Sequence, residues 1–111
     1  MSSRPRRAVL LIAVLACVPF VTPADAASTR TVALENIDFT PGTMRISRGD
    51  SVRWVWKDDP TPHNVRSRGT SRFTGSGTKT AGSHRVRFSR AGIYRYVCTV
   101  HIGMDGRIVV R

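Results

Sequence analysis

Cysteine and acid are both scarce in this chain. Cys17 and Cys98 are the two cysteines among 111 residues, and Cys17 falls in an N-terminal segment that reads as an export signal. Arg4, Arg6 and Arg7 precede the apolar run 8–21, and Ala24-Asp25-Ala26 offers a small-residue cleavage site. Removing residues 1–26 leaves 85 residues, one compact domain, with a single cysteine. That count excludes an internal disulfide, and an odd thiol in an exported protein calls for a reactive or metal-ligating role. Long hydrophobic runs are missing too: the one candidate is too short for a membrane span and is broken by Pro19. The expected location is the periplasm or the exterior. Leu15-Ala16-Cys17 would pass as a lipidation site, but the apolar residues 18–21 continue past it and argue against an anchor there. Arg6-Arg7 leaves a twin-arginine route open beside the general one.

Seven Asp and Glu face 18 Lys and Arg, a formal charge of +11. Loss of Arg4, Arg6, Arg7 and Asp25 with the signal leaves 15 basic and six acidic side chains, or +9. A domain this basic meets acidic partners faster, in a salt-dependent way, and contact with an anionic membrane surface stays open. Nucleic acid, the other standard partner of a basic domain, is not expected outside the cytoplasm. The domain is expected to be a monomer.

No stretch carries a sustained helical period, and there is neither an internal repeat nor a low-complexity segment. Apolar and polar residues alternate instead in 31–37, 43–47, 51–56, 83–88 and 92–98, and 107–110 resumes the pattern. Pro41-Gly42, Arg48-Gly49-Asp50 and Ala91-Gly92 mark turns. The reading is an all-β sandwich of short strands. Residues 67–82, rich in Gly, Ser and Thr, are expected to form an irregular crossing with a short strand around Phe73. Arg85, Arg87, Arg90 and Arg95 should point outward, opposite Val86 and Phe88.

What the chain does hold is a dense group of soft donors. Cys98, His101 and Met104 lie within seven residues, on a loop between the strand ending near Cys98 and the one starting near Arg107, with Gly103 and Gly106 breaking the stretch. A short loop can aim three side chains at one point. A fourth ligand must come from a distant segment, and His63, just past the turn-rich stretch 58–62, is the good candidate. Thiolate and thioether suit copper(I), imidazole suits either oxidation state, and two His with one Cys and a weak axial Met is the blue-copper arrangement. His84 alternates in phase with Val86 and Phe88 and reads as structural; Met44, in phase with Ile46, reads as core.

At these residues the chain resembles the plastocyanin and azurin family of small blue copper proteins. Gly49-Asp50-Ser51-Val52-Arg53-Trp54 is similar to the family's Gly-Asp-x-Val-x-Trp strand, with His63-Asn64-Val65 following, and Gly92-Ile93-Tyr94-Arg95-Tyr96-Val97-Cys98 to its Gly-x-Tyr-x-Tyr-x-Cys strand. The likeness runs from about Val32 to the C-terminus, and the compact Cys-x-x-His-x-x-Met loop is closest to the amicyanin type. It departs at Val100, where the family usually has Pro. The Val100 N–H is expected to reach the Cys98 sulfur and raise the potential. The resemblance implies a Greek-key cupredoxin domain over 27–111 and one type 1 copper held by His63, Cys98, His101 and Met104. It implies His101 as the electron port, beside Ile102 and Pro62, and Asn64 as a tie between the ligand loops that donates towards the Cys98 sulfur. The expected function is single-electron shuttling between a donor and an acceptor protein with acidic docking surfaces. The alternative is copper storage, delivery or sensing, but there is no Met-rich tract of the kind delivery proteins use. A copper enzyme would need further His-rich sites, and only His84 is left over.

Overall fold

The structure is a computed structural model that describes Ser3 and residues 26–111. The expected export signal, with Cys17, otherwise lies outside the described residues. Eight strands follow: β1 (Thr29–Glu35), β2 (Asp38–Thr40), β3 (Thr43–Ile46), β4 (Ser51–Trp56), β5 (Arg66–Arg68), β6 (Ser83–Arg87), β7 (Gly92–Val97) and β8 (Asp105–Val110). They form two four-stranded sheets, in the orders β2-β1-β4-β6 and β3-β8-β7-β5. Pairs β1–β4 and β3–β8 are parallel and the rest antiparallel. No helix occurs among the described residues.

Period-two alternation decides which face is covered. In β4, Val52, Trp54 and Trp56 point inward and are buried while Arg53 is exposed; in β7, Tyr94 and Tyr96 are buried while Ile93 and Arg95 are exposed. Between the sheets Tyr96 meets Phe39 edge-on at 4.7 Å and Trp54 at 5.4 Å. Full burial of each large side chain contributes about 1.5–3 kcal/mol. Gly106 sits opposite Tyr96 in the β7–β8 ladder, and a Cβ there would come within 2.5 Å of the phenol ring, so only glycine leaves Tyr96 its place. Met44 joins the core, as expected.

Two elements differ from the sequence expectation. The strand expected over 31–37 ends at Glu35, where Asn36 (φ 54°) and Ile37 (φ 55°) turn left-handed and β2 folds back on β1. Asn tolerates this conformation, but a β-branched residue resists it. The Asp58 carboxylate holds the turn, accepting the amides of Asn36 (2.9 Å) and Ile37 (3.1 Å). In the crossing the short strand is Arg66–Arg68, not the stretch around Phe73. The Arg-Ser-Arg sequence looks like loop, yet it pairs with Arg95–Val97 of β7. Phe73 serves the core by its ring, stacked on Trp54 at 5.4 Å and 2°.

Candidate metal centre

Both ligand segments emerge at the same end of the sandwich. The β4–β5 connection brings His63, and the β7–β8 connection brings Cys98, His101 and Met104. The second loop closes on itself, because Cys98 N–H donates to the Met104 carbonyl (2.9 Å) and Met104 N–H to that of His101 (3.3 Å). Gly103, at φ 84°, supplies the left-handed step that a side chain resists. The loop therefore holds Cys98, His101 and Met104 in one tight turn.

His63 is fully buried, and its polar atoms are accounted for one by one. Its backbone N–H and C=O pair with Lys79 (3.0 Å each), and the carbonyl also accepts the Trp56 indole N–H (2.9 Å). Ring Nε2 faces Asp58 Oδ2 at 3.0 Å, which assigns the proton to Nε2 and leaves the Nδ1 lone pair free. That Nδ1 lies 3.9 Å from Cys98 Sγ. His101 follows the same rule: Nε2 faces the Pro62 carbonyl at 3.0 Å, so Nδ1 is its free atom, and the two imidazoles sit 4.9 Å apart. One donor atom from each of His63, Cys98 and His101 lies within 4.8 Å of the others. Met104 is 2% exposed and Cys98 4%, both in the core cluster. Two imidazoles and a thiol within reach of one another, with the buried Met104 on the same loop, are a donor set that copper accepts in both oxidation states, so the residues fit the group that the sequence implied.

Asn64 ties the two ligand loops as expected. Its Oδ1 accepts the Thr99 N–H (2.9 Å), and its amide hydrogens go to the hydroxyls of Thr78 and Thr99 (2.8 Å each). Those hydrogens are thereby spent on threonines rather than on the Cys98 sulfur. Nor does the Val100 amide form a hydrogen bond with that sulfur; among the described residues the sulfur's hydrogen-bond contact is His63 Nδ1. Val100 itself is 43% exposed. His84 stands outside the cluster, its Nε2 facing the Thr74 carbonyl at 2.8 Å and its ring tilted over Trp54.

Asp58 is the residue that sequence reasoning missed. One carboxylate fixes the β1–β2 turn and the buried imidazole together, and the Ile37 and Asn36 amides, then the His63 ring, hold its pKa below the usual carboxylate value. No local signal marks it. Its partners stand 21 and 22 residues upstream and five downstream.

The comparisons with known proteins agree with this geometry. The profile of the copper-binding proteins of the plastocyanin/azurin family matches residues 26–111. Amicyanin of Paracoccus versutus is 32% identical over 92 residues, covering 79% of this chain and 67% of the relative. Amicyanin-alpha of Methylorubrum extorquens is 32% identical over 94 residues, 81% of this chain and 77% of the relative. Among solved structures, an amicyanin variant in its reduced state superposes with a TM-score of 0.63 at 27% identity, covering 79% of this chain and 85% of that one. A purple cupredoxin from Nitrosopumilus maritimus gives 0.64 at 24% identity over 74% and 99%. A buried thiol faced by two free imidazole nitrogens, on a two-sheet all-β frame that the family profile spans from end to end, makes this chain a member of the plastocyanin/azurin family of copper-binding proteins.

Proposed function

We propose that the chain is an exported type 1 copper protein that carries single electrons between redox proteins, with His63, Cys98, His101 and Met104 as its ligands. The observation that carries the reading is the accounting at the two imidazoles: every other polar atom of His63 is satisfied, and the remaining Nδ1 points at a buried thiol. Copper, when bound, supplies a one-electron couple. The protein's part is to hold the donors so that neither oxidation state needs them to move. Asp58 and the Lys79 bridge lock His63, Asn64 ties its loop to Thr99, and the 98–104 turn is closed by its own backbone. Burial keeps water from the thiolate.

The electron leaves through His101, the half-buried imidazole of the set. Ile102 beside it is fully exposed, and Val100 extends the apolar rim. Apolar contact at this end lets a partner approach the ring edge without a tightly bound water layer. The alternative of storage or delivery has less support, since a closed site at 4% exposure of the thiol does not invite metal handover. The test is a reductive and oxidative titration of copper-loaded protein with metal analysis at each end. Repeated one-electron cycles at one copper per chain support the carrier; release of copper on reduction would replace it with delivery.

A further inference from the structure

We infer that the outer face of the β3-β8-β7-β5 sheet, centred on Arg68, Arg95 and Arg107, is the docking surface for an acidic protein partner. The inference rests on the electron-carrier reading and adds where the partner sits. Arg68 pairs with Arg95 across β5–β7, and Arg95 with Arg107 across β7–β8, so three guanidinium side chains stand in one row on strands about 4.8 Å apart. Their neighbours along the strands, Tyr94, Tyr96 and Ile108, point the other way into the core. Like charges directly opposed across a ladder repel. Asp105 is the acid nearest the row, on the same face two residues before Arg107, and it forms no ion pair with it: among the described residues the one ion-pair contact joins His63 to Asp58, and the row's side-chain hydrogen bond runs from Arg107 Nε to the Thr43 hydroxyl at 3.1 Å. Edge protection accounts for Arg68, because β5 borders the sheet. It does not account for Arg95 or Arg107, which sit on the two interior strands.

The row also reaches the metal end. Arg66, on the same face two residues before Arg68, pairs with Val97, the residue before Cys98. One shallow recess runs from Arg66, Arg68 and Arg72 to Thr99, and another lies among Arg68, Arg95 and Arg107, with Asp105 as the single acid on its lining. Recesses in which guanidinium groups outnumber carboxylates three to one or more accept protruding carboxylates, which a protein surface offers and a flat lipid plane does not. A partner held there flanks the 98–104 loop, which places its own redox centre beside the copper end.

The test uses a glutamate 20-mer as probe and zinc-loaded and copper-loaded protein in parallel. Binding is followed by anisotropy from about 20 mM to 0.5 M salt. Arg68→Gln/Arg95→Gln/Arg107→Gln should weaken binding about tenfold at low salt and flatten the salt dependence, the sum of three exposed charge pairs. The single Arg95→Gln should weaken it about twofold. Arg53→Gln/Arg85→Gln/Arg87→Gln, an equal charge change on the other sheet, should leave it within twofold. Equal weakening by both triple variants would overturn the inference in favour of net charge. Binding to phosphatidylglycerol vesicles without binding to the peptide would overturn it in favour of a membrane. The zinc form separates this from the electron-carrier reading, because it reads the face with no redox couple present.

Discussion

A single carboxylate at Asp58 decides how His63 is presented, and its removal separates two effects. Asp58→Ala strips the acceptor from the imidazole and from the Asn36 and Ile37 amides. Metal-free protein should then melt at a lower temperature, and the copper-loaded variant should show a higher potential, because a nearby negative charge favours Cu(II). Asp58→Asn keeps an acceptor without the charge; it should recover part of the stability and none of the potential. Equal potentials in all three proteins would show that the charge is not felt at the metal. Met104 gives an independent prediction: Met104→Gln should lower the potential and Met104→Leu raise it, by voltammetry, with the blue colour kept. The cluster of His63, Cys98 and His101 was legible in the sequence because soft donors three residues apart on a strand-flanked loop have few other uses. Asp58 was not, since an aspartate in a Pro-rich turn looks like any turn residue until the β1–β2 hairpin is folded against it. The amide of Val100 failed in the opposite sense: sequence proximity to Cys98 suggested a bond that the loop's own closure does not make.

Strands that alternate around large apolar residues, such as β4 and β7, announce their buried face. Strands of three residues do not: β2 and β5 exist through their partners, and Arg-Ser-Arg carries no apolar signal at all. The neighbouring Phe73 drew the expected strand to itself because it is the one large apolar residue of its segment. Its contribution is packing, so Phe73→Ala should cost about 2–3 kcal/mol in denaturant unfolding, below the full-burial range because the ring is only partly covered. The far-UV spectrum should keep its β signature, and a lost β5–β7 pairing would show that Phe73 also sets the strand. At Gly106 the restriction is steric. Gly106→Ala must displace the Tyr96 ring and should cost about 1–3 kcal/mol.

Taken whole, the molecule is a basic sandwich in which Asp38, Asp50 and Asp58 are committed to backbone amides. Asp50 accepts the amides of Ser28 (2.9 Å) and Ser47 (3.0 Å), and these bonds hold its pKa below the ordinary aspartate value of 3.8, with Arg30 adding to them. Its folded form is thus the stronger acid. The stability it adds is complete above pH 3.8 and is lost as pH falls below that, through the folded value. Asp50→Asn should therefore unfold more readily at pH 6 and show a flatter acid limb below pH 4 in melting curves. A parallel pH profile in the variant would place the acid sensitivity elsewhere. The sandwich class was legible from alternation alone. Its sheet order was not, because the parallel pairs β1–β4 and β3–β8 join strands far apart in sequence, and no local pattern specifies them.

The central claim, a copper held by a thiolate between two imidazole Nδ1 atoms, is tested most directly by the visible spectrum of mature protein loaded with Cu(II), with metal analysis to exclude zinc. An intense blue sulfur-to-copper charge-transfer band, absent in Cys98→Ala and altered in His63→Ala and His101→Ala, is the predicted result. A stoichiometric but colourless Cu(II) complex, or a blue band that survives loss of the Cys98 sulfur, would contradict it.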